Sequence, residues 1–425
     1  MSPTFKSLSV PNYRRYFTGM AVSNTGSWMQ RVAQDWLVLQ LSSGSAVTLG
    51  ITTALQFGPI VLLSSLGGVL ADRYDKRRLL FVTNTVMGLL ALILGALVLT
   101  DLAAVWHVYV LAAGLGVVAA LDTPTRQAFV VEMVGREDLP NAVGLNSASF
   151  NGGRIIGPAV AGFLIEAFDG DTGWVFLINA LTYLAPVIAL HRMRVADLHR
   201  SELAPRGRGQ LAEGIRYVRG RPDLMAVLFV VFCLGTFGLN FQITNALMAT
   251  AEFGKGAGEF GLLGSAIAVG SLAGALLGAR RTEVRVRLVI GGALAFGLLE
   301  IVSGVMPNYG LYAASLPAVG VAALLTTTAA NSVMQLSVAP AMRGRVMALY
   351  ITVLFGGTPV GAPLVGWLAE ECGPRWSLVV GGVVTAASAA LAGSYLARRA
   401  KITVRATVFP RPRLSLEYPV SEPVP

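Results

Sequence analysis

Charged residues are scarce in this chain. Asp, Glu, Lys and Arg make up 13% of its 425 residues, whereas soluble domains carry about 25%. Hydrophobic residues account for 54%, and glycine for about one residue in nine, a level that suits closely packed membrane helices. The composition excludes an ordinary soluble protein and indicates that lipid surrounds most of the chain.

Cysteine is rare in the chain, and sequence motifs for catalysis are absent. The two cysteines, Cys233 and Cys372, lie in or beside apolar runs, which argues against a disulfide framework or a cysteine metal site. The chain has no G-x-x-x-x-G-K-[ST] loop, no nucleophile elbow and no zinc-protease motif around its three histidines. We therefore expect neither an enzyme nor ATP coupling, and no cofactor or metal.

Long apolar runs dominate the remaining sequence. A bilayer core about 30 Å thick requires about 20 mostly apolar residues in a helix. Twelve runs satisfy this length and predict an all-α integral membrane protein with twelve transmembrane helices. The predicted spans are 16–41, 47–71, 79–100, 103–121, 143–165, 172–191, 224–251, 260–279, 288–306, 309–336, 346–369 and 376–397.

Basic residues follow a clear rule along these spans. All but four of the 33 Lys and Arg residues fall in the two termini and in the loops after even-numbered spans. Because Lys and Arg favour the cytoplasmic side, this distribution predicts a multi-pass protein of the cell inner membrane with both termini in the cytoplasm. It also explains the net charge of +10 without any nucleic-acid partner.

The chain divides at its longest internal loop, where Leu211, Ile215 and Val218 have the spacing of a short interfacial helix. The tail is basic and then rich in proline, which predicts flexibility. The predicted units are an N-terminal six-helix bundle (1–192), a cytoplasmic linker (193–222), a C-terminal six-helix bundle (223–397) and a flexible cytoplasmic tail (398–425).

An internal repeat relates the two bundles. Gly153, Gly157, Gly162 and Glu166 of the fifth span recur 204 positions later in the eleventh span, as Gly357, Gly361, Gly366 and Glu370. Parallel repeats of this kind predict two pseudo-symmetric halves with a site between them near the bilayer midplane. Chance spacing of glycine is the alternative for this span taken alone.

The loop after the second span carries a glycine, an Asp-Arg pair and a basic cluster, formed by Gly68, Asp72, Arg73, Arg77 and Arg78. This pattern resembles the signature loop of the major facilitator superfamily, although Asp75 stands where that pattern usually has glycine. The resemblance implies a conformational latch between the halves, and Arg343 and Arg345 are the candidate partners of Asp72. An ordinary basic turn is the alternative.

A second resemblance lies in the fifth span and the residues before it, where the pattern consists of Gly144, Gly153, Gly157, Pro158 and Gly162. It is similar to the glycine-proline motif of the antiporter branch of the superfamily. The same residues would also serve simple helix packing, and the two interpretations are compatible. The opening stretch resembles the bacterial exporter group that includes the enterobactin exporter and macrolide-efflux relatives. The arginine that many drug exporters carry in the fourth span is absent from 103–121.

Four ionisable residues lie within the predicted spans: Arg31, Asp35, Arg154 and Glu300. Charge in hydrocarbon is costly, so each is expected to face the bundle interior and to take part in proton coupling. Our hypothesis is that Asp35 alternates between protonated and ionised forms, with Arg31 favouring the ionised form in one conformation. The alternatives are a permanent Arg31–Asp35 pair and, for Arg154, helix packing or lipid snorkelling.

Polar side chains within otherwise apolar spans are the candidate substrate-binding residues: Gln30, Gln34, Asn240 and Gln242. The function predicted is a secondary active transporter, a proton-coupled antiporter that exports drug-like or siderophore-like small molecules by alternating access. Its partners are then the cargo, protons and the lipid bilayer, and we expect a monomer. An uptake symporter or facilitator for a small nutrient is the first alternative. A non-transporting receptor is a further one, but it would have no reason to keep buried charge.

Overall fold

A computed structural model of the chain describes residues 3–199, 210–279, 285–399, 403–407 and 413–417. The remainder of the predicted linker and tail, and the side chain of Leu211, lie outside the described residues. Helices account for nearly all of the described chain. In order they are α1 (Pro11–Leu41), α2 (Ala46–Arg73), α3 (Lys76–Leu99), α4 (Val105–Ala167), α5 (Gly173–His191), α6 (Gln210–Arg219), α7 (Pro222–Cys233), α8 (Phe241–Leu247), α9 (Ala257–Ala279), α10 (Val286–Gly304), α11 (Tyr309–Leu336), α12 (Pro340–Gly356), α13 (Thr358–Cys372) and α14 (Pro374–Arg399).

The described residues contain ten segments that are long and apolar enough to cross a membrane. The first helix, α1, and the second part of α4 do not reach that apolarity, because they carry polar stripes that include Asp35 and Arg154. Both are nevertheless long helices packed into the bundle, so the all-α integral membrane fold is confirmed. With these two helices the arrangement is consistent with the twelve predicted spans.

The fourth and fifth spans are two helices that meet directly at a kink, with no loop between them. The range given for α4 covers both helices, 63 residues in all, and the kink is at Gly135, whose φ of 73° is a conformation that glycine adopts readily. The prediction that residues between 121 and 143 form a loop is therefore wrong. Asp122 and Arg126 lie on the helix, before the kink at Gly135.

The seventh span is helical but irregular. Helix α7 continues into a π-helical turn at Leu234–Gly238, then α8, then a second π-helical turn at Met248–Glu252. π-Helical turns of this kind occur frequently at functional sites. The turns change which side chains face the neighbouring helices along this span.

A helix, α6, lies in the segment where the sequence predicts a short interfacial linker helix, and its place at the membrane interface stays a prediction. Val218 is buried, and the carboxylate of Glu213 lies 2.5 Å from the guanidinium of Arg345 on α12. The hydroxyl of Tyr217 accepts a hydrogen bond from the backbone nitrogen of Ala339. The linker helix is therefore anchored to the second half.

The glycine repeat forms equivalent contacts between the two halves. A methyl group added to Gly162 on α4 would collide with the carbonyl oxygen of Ala257 at the start of α9. A methyl group added to Gly366 on α13 would likewise collide with the carbonyl oxygen of Ala46 at the start of α2. The repeat therefore marks two symmetric close approaches, and chance spacing does not explain it.

Both close approaches lie at the same end of the bundle, which we call the far side because it is opposite the two chain termini. Glu370 also lies there, and its Oε2 accepts hydrogen bonds from the backbone nitrogen of Val47 (3.0 Å) and the hydroxyl of Ser45 (3.2 Å). Its repeat counterpart, Glu166, contacts Gly258 at the start of α9. Each half thus places a glutamate against the start of a helix from the other half.

Two short strands follow the last helix, an element that the sequence did not predict. Residues Thr403–Thr407 pair antiparallel with Arg413–Glu417. The flexibility predicted for the tail stays a prediction.

Candidate functional site

A cavity of about 730 Å³ lies within the first half of the protein. Its lining residues come from α1 to α5, and on α1 they extend from Tyr16 to Gln34. The eighteen steps from Tyr16 to Gln34 correspond to about 27 Å of helix, close to the thickness of a bilayer core. A cavity of this size accommodates a drug-sized organic molecule.

Amide and hydroxyl groups give the cavity a polar wall. Two of the predicted substrate-binding residues, Gln30 and Gln34, line it. The Gln30 side chain accepts a hydrogen bond from Asn179, and the Gln34 amide donates to Gln56 over 3.2 Å. These hydrogen bonds fix the side chains in place while leaving part of their hydrogen-bonding capacity for a ligand.

The structure adds a charged pair that sequence reasoning missed. The Asp122 side chain is fully buried and accepts hydrogen bonds from Thr83 (2.8 Å), Asn84 (3.1 Å) and the guanidinium of Arg126. Arg126 and Asp122 both line the cavity. The prediction that the fourth span lacks an arginine is therefore wrong, because the helix continues past residue 121, and the four-residue spacing of this pair was the signal that could have found it.

Arg31 and Asp35 do not form the direct ion pair that their spacing allows. Within the described part of the chain, neither side chain has a salt-bridge contact, and the Arg31 guanidinium lies over the rings of Trp28 (4.5 Å) and Phe57 (5.7 Å). Arg154 lies over the same Trp28 ring at 5.7 Å. Asp35 is buried, and both arginines contact the Trp28 ring rather than the Asp35 carboxylate.

Glu300 lies in the second half, on α10, and is 1% exposed. Among the described residues no group donates a hydrogen bond to its Oε2. Gly381 on α14 and the backbone of Phe237 lie beside it. Of the four predicted proton-coupling residues, the structure brings Arg31, Asp35 and Arg154 into one region and leaves Glu300 apart.

The other two predicted substrate-binding residues, Asn240 and Gln242, line a separate cavity of about 110 Å³ between the halves. Phe57 contributes to both cavities. The four predicted residues therefore divide into two pairs that meet at Phe57, and they do not form a single cluster.

The predicted latch residues have contacts within the first half. Arg77 donates hydrogen bonds to the carbonyl oxygens of Leu190 (2.6 Å) and His191 (3.0 Å), and thereby caps the end of α5. Asp75 accepts from the backbone nitrogen of Arg78 and caps α3. The other three, Gly68, Asp72 and Arg73, lie at the end of α2. The side chain of Arg345, a proposed partner of Asp72, is paired with Glu213, and the latch stays a prediction.

Three glycines of the glycine-proline motif on α4 lie against neighbouring helices. A Cβ atom at Gly153 or Gly157 would press on α1, and one at Gly162 on α9. Pro158 contacts Gly261 and Gly264 of α9. Gly144 has no atom within 4 Å of the position its Cβ would occupy, and the role of the motif as a whole stays a prediction.

Comparison with known proteins agrees with this architecture. The sequence profile of the transmembrane secretion effector family, a branch of the major facilitator superfamily, matches residues 2–420. The chain belongs to this family. It is accordingly a multi-pass membrane protein of transporter type, as its fold indicates.

Curated relatives include an exporter and an efflux pump by name, and a further transporter. An enterobactin exporter of Shigella boydii is 25% identical over 383 residues, which cover 88% of each chain. A multidrug efflux pump of Mycolicibacterium fortuitum is 26% identical over 83% of this chain and 87% of the pump. A staphyloferrin A transporter of Staphylococcus aureus is 33% identical over 174 residues, so this match spans 41% of the chain and less than half (43%) of that relative.

Solved structures share the fold at low sequence identity. An inward-facing, unoccupied bacterial homologue of the lysosomal transporter Spinster superposes with a TM-score of 0.71 at 16% identity, over 92% of this chain and 97% of that chain. A D-xylose–proton symporter superposes with a TM-score of 0.66 at 13% identity, over 89% and 97%. Because exporters and symporters share this fold, it does not define the direction of transport.

Proposed function

We propose that the protein is a proton-coupled antiporter that exports drug-like or siderophore-like small molecules by alternating access, with both termini in the cytoplasm. The names of its relatives support export, and the cavity supports a cargo of drug size. The placement of Lys and Arg on the terminal side supports the orientation.

The observation that carries proton coupling is the environment of Glu300. An ionised carboxylate in a membrane interior costs several kcal/mol unless a cation or several donors compensate it. Within the described residues Glu300 has no basic partner, and its Oε2 has no donor. We infer that it holds a proton in this conformation and releases it in another, which is what exchange of a proton for cargo requires.

Asp35 is the second buried carboxyl without an ion pair, and it stays a candidate carrier. Arg31 lies four residues earlier on the same helix face, so a rotation of its side chain is enough to bring the two groups together. Asp35 thus differs from Glu300 in having a basic residue within reach.

The test is flux through the purified protein in proteoliposomes under an imposed pH gradient, with enterobactin, staphyloferrin A and ethidium as probes. Antiport predicts that a transported probe accumulates on the acidic side, because the proton moves the other way. Glu300→Gln should abolish the effect of the gradient while probe exchange at equal pH continues. Glu371→Gln, which changes an exposed glutamate on α13, is the matched control and should behave as the wild type.

Two results would contradict this proposal. If the flux of every transported probe is independent of the pH gradient, transport is not coupled to protons. Accumulation on the alkaline side indicates symport and favours the uptake carrier.

A further inference from the structure

The charges that line the large cavity do not cancel. The lining residues include three side chains of the Asp, Glu, Lys and Arg types: Arg31, Asp122 and Arg126. Asp122 and Arg126 neutralise each other in a direct ion pair, and Asp122 gains two further donors from α3. Arg31 has no salt bridge among the described residues, although Asp35 attracts it from a longer distance and the rings of Trp28 and Phe57 lie against it. The cavity therefore presents one positive charge that no salt bridge in the described chain compensates.

A second positive charge lies behind the first. The guanidinium carbons of Arg31 and Arg154 lie within 4.5 and 5.7 Å of the Trp28 ring centroid, so they are at most about 10 Å apart. Arg31 and Arg154 are close enough to interact electrostatically. Two like charges at this distance repel each other in a medium of low dielectric constant, and cation–π contact with one indole offsets only part of that cost.

The local packing maintains this arrangement. Gly157 lies directly against α1 at Trp28, and a side chain at that position would collide with the Cβ of Trp28 and the neighbouring α1 backbone. Phe150, which also lines the cavity, packs edge-on against the same ring at 5.5 Å. Gly157 thus lets α4 pack closely on α1 at Trp28, and the indole of Trp28 lies against Arg31, which lines the cavity.

We propose that this region is an anion-binding site, in which Arg31 binds a carboxylate or another acidic oxygen of the cargo and Arg154 strengthens the attraction from behind Trp28. This inference rests on the proposed transport function and names its substrate class: organic anions that fit the cavity. Arginine suits such groups because its donors match the geometry of two acidic oxygens. The amides of Gln30, Gln34 and Gln56 then face the polar part of the cargo, and Phe57 and Ile60 face its carbon skeleton.

The site has a consequence for Asp35. An acidic cargo and the Asp35 carboxylate compete for the same guanidinium. Exchange of an anionic cargo for a proton therefore cannot run through Asp35, since cargo binding would favour its protonated form. The proposal assigns the exchanged proton to Glu300 and predicts that Asp35→Asn remains coupled to the pH gradient.

The test compares two dyes built on the same ring skeleton, the anion fluorescein and the cation rhodamine 123. Their binding to the purified full-length protein in detergent is measured by fluorescence anisotropy at pH 8, with protein-free micelles as the baseline. Wild-type protein should bind fluorescein more tightly than rhodamine 123. Arg31→Gln should raise the Kd for fluorescein at least tenfold, the loss expected for charge-assisted hydrogen bonds.

Further variants separate charge from packing. Arg31→Lys keeps the charge and should retain more affinity than Arg31→Gln. Arg154→Gln should weaken fluorescein binding by a smaller factor, and it keeps the proposal testable if Arg31→Gln does not fold. Arg14→Gln, an exposed position on the same helix, is the matched control and should leave the Kd within twofold of the wild type.

The proposal is overturned if fluorescein shows no saturable binding, if rhodamine 123 binds more tightly to the wild type, or if neither arginine variant weakens fluorescein binding. These measurements need no gradient. A confirmed anion site with flux that ignores the gradient removes only the antiport proposal, and gradient-driven flux with unchanged dye binding in the arginine variants removes only the anion site.

Discussion

The Asp122–Arg126 pair allows a quantitative prediction for the substitution Asp122→Asn. Asparagine keeps an oxygen that accepts the hydrogen bonds from Thr83 and Asn84, so the substitution removes charge with little change of shape. Arg126 then loses its counter-charge. Removing one member of a buried ion pair costs about 3–5 kcal/mol, and because the Arg126 side chain is 31% exposed to the cavity, we expect the lower end, about 3 kcal/mol.

The assay is unfolding in mixed micelles by titration with sodium dodecyl sulfate, followed by tryptophan fluorescence. The double variant Asp122→Asn, Arg126→Gln removes both charges and should be more stable than the sum of the single effects predicts, with a coupling of about 1–3 kcal/mol. Asp169→Asn is the control. This residue is exposed on the far side with a φ of 54°, a conformation that asparagine tolerates.

The reasoning fails if the free energy of unfolding of Asp122→Asn lies within about 0.5 kcal/mol of the wild-type value, or if the effects of the two single substitutions on that free energy simply add. Either result would mean that water in the cavity already compensates Arg126. The pair would then not be a structural unit of the cavity wall.

Three further predictions concern the contacts at the two ends of the bundle. Gly162→Val should prevent close packing of α4 on α9 and reduce transport of a confirmed probe at least tenfold, whereas Gly144→Val, on the same helix with open space around it, should retain most activity. Glu370→Gln should weaken the contact with Ser45 and Val47 by less than about 1 kcal/mol, because the group is exposed. In a chain whose exposed Cys372 is replaced by serine, a cysteine introduced at Val47, which keeps the backbone donor to Glu370, should then react faster with a membrane-impermeant maleimide, and an unchanged rate would argue against a gate there. Arg77→Gln removes two charge-assisted hydrogen bonds from the end of α5 and should lower stability by about 1–3 kcal/mol in the same unfolding assay, with exposed Arg78→Gln near zero.

The sequence predicted the membrane fold and its repeat because both depend on simple periodic features. Apolar length marked most spans, and one pair of the glycines repeated at 204 positions, Gly162 and Gly366, proved to lie where helices from opposite halves touch. The same method ended the fourth span at residue 121, because Asp122 and Arg126 interrupt its hydropathy. Polar residues that pair with each other across a helix turn are read as a loop when only apolarity is counted.

Side-chain direction was the part that the sequence did not determine. A spacing of four residues allows Arg31 and Asp35 to form a pair, yet the Arg31 guanidinium lies on Trp28 instead. That choice depends on tertiary packing, which includes Gly157, a residue more than a hundred positions away in sequence that lets α4 approach the Trp28 Cβ and the α1 backbone. Likewise, nothing in the sequence indicated that Gln30 and Gln34 line a cavity separate from that of Asn240 and Gln242.

The two halves share their interface but not their chemistry. The contacts of α4 on α9 and of α13 on α2 are equivalent, whereas the large cavity with its arginines belongs to the first half and Glu300 belongs to the second. If cargo binds in one half and the exchanged proton in the other, the two cannot interact by direct contact. Their coupling must then pass through the symmetric interface, because opening the far side requires both of its contacts to separate. A variant that changes only this interface, such as Gly366→Val, should therefore impair cargo flux and proton flux together while leaving cargo affinity unchanged.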